Sequence, residues 1–141
     1  MTTLTLEQAN RIIEAALAEA RRRAFPPLAV VVLDAAGHVR ALQRDDGCGI
    51  FRAEIATGKA WTAVSMGISS RKVGESARNL AHFFIPLAAT AQGKFLPHTG
   101  AVAIRDKNGE LMGAVGASGA VGDDDEAVCL AGVAAVGLDA Q

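Results

Sequence analysis

"GAVAIRDKNGELMGAVGASG", Gly100–Gly119, is the stretch whose reading decides the fold. Two apolar runs, "GAVAIRD" and "ELMGAVGASG", flank Lys107-Asn108-Gly109, and Asn-Gly between apolar runs is a strong signal for a β-hairpin. Upstream, "LAVVVLD" (28–34) is β-branched and apolar on both faces, as a central strand requires. The turn "DAAG" leads into a second strand, "HVRALQR". Strands joined pairwise by short turns imply an antiparallel sheet and exclude a doubly wound one.

The helices frame these hairpins. Thr5 and Gln8 form a capping-box pattern, and Leu6, Ala9, Ile13, Ala16, Leu17 and Ala20 follow at helical spacing. Arg21–Arg23 fall in the last turn, where cations complement the helix dipole, and Pro26 and Pro27 end the helix. After "DDGCG" a helix is expected over about 51–66, with Ala53, Ala56, Ala60 and Ala63 as a stripe that admits a close neighbour. Glu54, Gly58 and Trp61 share another face. A further helix starts at Ser69 or Ser70 and is expected to end at Pro86. "LAATAQGKFLPHTG" (87–100) reads as a short turn and loop suited to a lid or an oligomer contact. The last helix is expected over about 124–138. The order is α-β-β-α-α-β-β-α in one α+β domain spanning 1–141.

Composition narrows the function. Half of the 141 residues are apolar, yet there are five Phe, one Trp and no Tyr, so the core is built from small aliphatic contacts. A net charge of −1 and this shortage of aromatics argue against nucleic acid as a partner. No apolar run reaches transmembrane length, and the N-terminus lacks a secretory pattern. A complete cytoplasmic chain without a membrane partner is therefore expected, with Cys48 and Cys129 as free thiols. Ala- and Gly-rich helices with few large core residues predict a homo-oligomer.

The run "GAVGASGAVGDDDEAV" (113–128) resembles a phosphate cradle, but it lacks the G-x-G-x-x-G spacing, and Asp123–Asp125 would repel a phosphate. Asp123–Glu126 could supply hard oxygen ligands to a metal, but consecutive residues at a helix start do not converge, and the D-x-[DN]-x-[DN]-G loop is absent. One aspartate capping the helix, with the others favouring its positive end, is the simpler account. The glycines then mark close approach of a backbone or a ligand.

Together, "LAVVVLDAAGHVRALQRDDG", "EIATGKAWTAV", "GAVAIRDKNGELMGAVGASG" and "DDDEAVCLAGVAAV" resemble the GlcG/HbpS family, which includes the PduO C-terminal domain. The resemblance covers nearly the whole chain. It implies a profilin-like antiparallel sheet flanked by helices, symmetric oligomers, and haem or a related tetrapyrrole as ligand. The matching positions are Asp46, Gly47, Glu54, Lys59, Gly116, Ser118, Gly119, Asp125 and Glu126. Thr99 departs from the family's glycine pair, with His98 as an added polar group beside it.

Two chemical readings follow. Haem would draw on His82 or His98 as imidazole ligands, with His38 expected to be exposed at the start of its strand. Alternatively, a small-molecule enzyme of a catabolic pathway would act on a carboxylate- or carbonyl-bearing substrate. In that reading Lys59 polarises a carbonyl or binds a carboxylate, and Glu54 or Asp46 moves a proton. In either case the ligand is expected at the junction of Arg44-Asp45-Asp46-Gly47, the 54–60 segment and Gly116, Ser118 and Gly119, with Thr99 and His98 nearby.

Overall fold

Two hairpins built on the same turn organise the sheet of the computed structural model, which describes residues 3–141. Met1 and Thr2 of the domain expected over 1–141 lie outside the described residues. In the first hairpin, β1 (Ala29–Asp34) runs antiparallel to β2 (Val39–Arg44). The Asp34 carboxylate accepts from the Ala36 and His38 amides at 3.0 Å each, and Gly37 takes φ +84°. In the second hairpin, β3 (Ala101–Arg105) pairs with β4 (Leu111–Ser118). Asp106 accepts from the Asn108 and Glu110 amides at 2.8 and 2.9 Å, and Gly109 takes φ +81°. Each is an Asp-x-x-Gly turn: the aspartate satisfies two loop amides and the glycine supplies the left-handed residue.

The hairpins join through β1 and β4, and β5 (Asp139–Ala140) adds to β3, giving the order β2-β1-β4-β3-β5 with every pairing antiparallel. The fold is α+β with the expected element order. The differences are local. The helix expected to end at Pro86 is instead two helices, α3 (Ser70–Asn79) and α4 (Ala81–Thr90), broken at Leu80 with φ −130° and ψ 48°. Pro86 sits inside α4, where its missing N–H removes a single helical bond. The last helix, α5 (Gly122–Ala135), starts two residues earlier than expected, and the chain beyond it returns as β5.

β1 is buried on both faces, as its composition requires. Leu28, Val30 and Val32 point into a layer formed by α1 (Leu6–Arg22) and α5, with Ile12, Ile13, Ile104, Val115 and Val133. Ala29, Val31 and Leu33 point the other way, against Ala56, Ala60 and Ala63 of α2 (Arg52–Met66). The capping box of α1 is present, Thr5 Oγ1 accepting from Gln8 N at 3.1 Å and Gln8 Oε1 from Thr5 N at 3.0 Å. Its terminal arginines act within the fold. Arg22 and Arg23 grip Glu19 and hold its carboxyl down to about 2, while Arg21 pairs with Asp45 at 3.0 Å.

Contact between α2 and the sheet is set by one residue. A Cβ on Gly116 would lie 2.4 Å from the Ala56 carbonyl oxygen and 3.0 Å from Ala60 Cβ. The alanine stripe therefore meets bare backbone, which is why both segments consist of small residues. Gly116→Ala is expected to destabilise the protein by about 1–3 kcal/mol in chemical denaturation, the cost of overpacking. Gly49→Ala, whose Cβ would meet Arg52 Cγ at an ordinary 3.8 Å, should leave stability unchanged.

Candidate functional site

α2 works on two sides. Its sheet-facing side carries Lys59, only 3% exposed, with Nζ donating to the Ala117 carbonyl and to Asp125 Oδ2, each at 3.1 Å. Asp125, 1% exposed on α5, also accepts from the Ala120 amide through Oδ1 at 3.0 Å. Burial pushes the Asp125 carboxyl above its ordinary range, against the pull of Lys59 and the Ala120 N–H. Each charge is thus held by the other and by backbone, and the pair ties α2, β4 and α5 together. Lys59 also closes over Gly100: a Cβ there would stand 2.6 Å from Nζ, at a backbone φ of +141°.

The acidic run at the start of α5 divides its work differently from the capping expected of it. Val121 is the N-cap, and no side chain caps the helix. Asp123 and Glu126 pair with Arg71 of α3, and Asp125 takes the buried lysine.

The glycine-lined junction expected to hold a ligand is filled by protein. Gly116 lies under α2, and a Cβ on Gly119 would stand 2.5 Å from Leu28 Cβ and from the Pro27 carbonyl. Ser118 is buried and accepts from Arg52 Nη1 at 3.4 Å, a contact not anticipated from the sequence. Thr99 packs on the first residue of α5, its Cβ 3.0 Å from where a Gly122 Cβ would stand. Arg44 and Asp46 are exposed beside the loop after β2. Among the described residues, no hydrogen bond or ion pair links Lys59, Glu54 and Asp46 to one another.

The open space lies on the other side of α2. A cleft of about 600 Å³ is bounded by Ala53, Glu54, Thr57, Gly58 and Trp61 of α2, by the β1–β2 turn and β2, and by Gly93 and Lys94. The face shared by Glu54, Gly58 and Trp61 is legible in the sequence; what it faces is not. From the hairpin come Ala36, Gly37, His38, Val39 and Leu42. Gly37 sits against the indole, a Cβ there falling 3.1 Å from Trp61 Nε1. On the far side Lys94 Nζ stands 5.9 Å from the Trp61 ring centroid. A second cavity of about 290 Å³, lined by Trp61, Ser65, Met66, Leu87, Thr90, Ala91 and Phe95, adjoins the same indole under α4.

The imidazole nearest this space is His38, whose ring is 80% exposed with Nδ1 3.9 Å from Asp34 Oδ1. His82, on α4, and His98, whose Nδ1 lies 3.4 Å from the Thr99 carbonyl, are exposed and line neither cavity. The exposure of His38 agrees with its place at a strand start, but its proximity to Trp61 depends on how the hairpin leans over α2. Of the residues singled out in the sequence for catalysis, Glu54 borders the cleft. Cys129 is buried, with its thiol raised by that burial, and Cys48 is half-buried and raised for the same reason. No group of three or more His, Cys, Asp or Glu suited to a metal ion occurs among the described residues, and no helix there is long and apolar enough to cross a membrane.

The fold is an α+β sheet with α1 and α5 on one face and α2 on the other, and the cleft lies beside α2. The chain belongs to the HbpS-like family, described as haem degrading protein HbpS-like, whose model matches residues 4–134. The crystal structure of a PduOC–haem complex superposes with a TM-score of 0.87 at 25% identity, covering 98% of each chain. A double glutamate-to-aspartate mutant of HbpS from Streptomyces reticuli gives 0.82 at 28% identity, covering 95% of this chain and 87% of that one. The Klebsiella pneumoniae protein ORFY, of family DUF336, shares the fold at a TM-score of 0.88 and 22% identity, covering 97% and 92%. A search of curated proteins finds no sequence match.

The buried pair carries a stability test. Lys59→Met and Asp125→Leu singly each leave an uncompensated charge and are expected to cost about 3–5 kcal/mol in urea unfolding. The double variant should recover much of that loss, because both charges leave together.

Proposed function

We propose that this protein binds haem or a related tetrapyrrole in the cleft between α2 and the first hairpin. The observation that carries the reading is the cleft itself: about 600 Å³, within the range of small-ligand sites, with an indole wall. Trp61, Val39, Leu42 and Ala53 supply apolar surface, while Gly93, with nothing within 4 Å of where its Cβ would stand, leaves backbone bare at the rim. His38 is the imidazole at this cleft and the candidate iron ligand; bound haem would supply the iron that such a nitrogen coordinates. Membership of a family with a solved haem complex supports the same ligand.

His82 and His98, the ligands suggested by the sequence, lie outside both cavities, so His38 replaces them in this reading. Glu54 borders the cleft and contributes negative charge to its wall. Haem titration should produce a Soret band. His38→Ala should shift its maximum and weaken binding roughly tenfold, equivalent to about 1.4 kcal/mol. His82→Ala and His98→Ala should match wild type; a loss confined to either would remove His38 from the role.

A homo-oligomer in the cytoplasm belongs to the same proposal. α4 has no buried residue and presents Phe83 and Ile85, 52% and 71% exposed, next to Leu80. Light scattering at micromolar concentration should give a multiple of the 14.5 kDa chain mass, and a purely monomeric mass would count against it.

A further inference from the structure

We propose that Lys94 is the carboxylate anchor of the cleft, so that the site selects a flat aromatic ligand bearing a free carboxylate at its edge. This assignment rests on the cleft being the ligand site. Four observations lead to it. First, Lys94 borders the same cavity as Trp61, His38 and Glu54. Second, its ammonium has no carboxylate partner among the described residues and stands over the Trp61 ring, 5.9 Å from the centroid. Lys59 and Lys107 are ion-paired, to Asp125 at 3.1 Å and to Asp139 at 2.8 Å, and Lys72, exposed on α3, lines neither cavity.

Third, the segment carrying Lys94 is constrained. Gln92 and Gly93 take φ +55° and +81°, and the Lys94 amide donates to the Ala91 carbonyl at 3.2 Å. The next residue, Phe95, is buried and stacks on Phe84 at 6.1 Å. Leu96 N donates to Thr62 Oγ1 at 2.7 Å, tying the segment back to α2. The lysine therefore stands at a defined place on the rim.

Fourth, the indole dictates the shape of the partner. An ammonium held over an aromatic face keeps its charge while remaining close to apolar surface. A planar ligand stacked against Trp61 would place an edge carboxylate where that ammonium can reach it, exchanging a cation–π contact for a charge-assisted hydrogen bond. Glu54, on the α2 wall, disfavours a second carboxylate on its own side and so biases the ligand's orientation. The haem propionates have this chemistry, and so does any carboxylated tetrapyrrole.

The test uses ferric haem and its dimethyl ester, in which both propionates are neutral. Their dissociation constants are measured by Soret titration for the wild type, Lys94→Gln, Lys94→Arg and, as a net-charge control, Lys107→Gln. Wild type is expected to favour haem over the ester roughly three- to tenfold. The preference should collapse towards one in Lys94→Gln, return in Lys94→Arg, and persist in Lys107→Gln. An unchanged haem-to-ester ratio in Lys94→Gln, or an equal collapse in Lys107→Gln, overturns the role of Lys94 while leaving haem binding in place. Absence of a Soret change with either compound overturns the ligand reading of the cleft, and the anchor with it.

Discussion

The approach of α2 to β4 at Gly116 is the constraint on which the rest of the molecule depends. With a Cβ at residue 116 only 2.4 Å from the Ala56 carbonyl, helix and strand could not sit at their present distance. That distance lets the Lys59 side chain pass across the sheet end to Asp125 and the Ala117 carbonyl. It also fixes how far the opposite side of α2 stands from the first hairpin, and so the width of the cleft. One missing side chain thereby serves the core and the candidate site together.

Lys59–Asp125 shows how two charges are spent inside this fold. Two ions taken out of water repay their desolvation only when the geometry is good and the remaining polar atoms are satisfied. Both conditions hold here: the lysine also donates to a carbonyl, and the aspartate also accepts a backbone amide. Such a pair contributes little against an apolar replacement but penalises any arrangement in which the two elements separate. It acts as a latch between helices on opposite faces of the sheet. A lysine occupied in this way has no free charge for a substrate carboxylate, which directs attention to Lys94 on the cleft side.

The two Asp-x-x-Gly turns explain a second economy. Both hairpins use an aspartate to accept two loop amides and a glycine at positive φ, yet their surroundings differ. The second turn carries exposed polar residues, with Lys107 paired to Asp139. The first leans over Trp61, with Gly37 against the indole and His38 at the rim. The same local chemistry thus yields a plain turn in one place and a wall of a cleft in the other.

Local patterns determined most of the fold. The Asn-Gly hairpin, the doubly apolar β1, the capping box of α1 and the alanine stripe of α2 are written in spacing and composition, because each reflects contacts within a few residues or a single periodicity. The break at Leu80 was not legible, since Pro86 is the stronger local signal and yet loses only one bond inside α4. Nor was the partner of Lys59. Asp125 is 66 residues away, and among three consecutive aspartates nothing in the sequence marks the one that turns inward. The sequence likewise placed Glu54, Gly58 and Trp61 on one helix face, but a pocket needs a second wall. That wall comes from the β1–β2 turn and from Gly93-Lys94, brought to α2 by strand pairing and by the Leu96–Thr62 hydrogen bond. Glycines 116 and 119 read alike whether they admit a ligand or a neighbouring chain segment, because bare backbone is all a sequence can record; only the packed molecule decided that α2 and the Pro27-Leu28 segment fill the space.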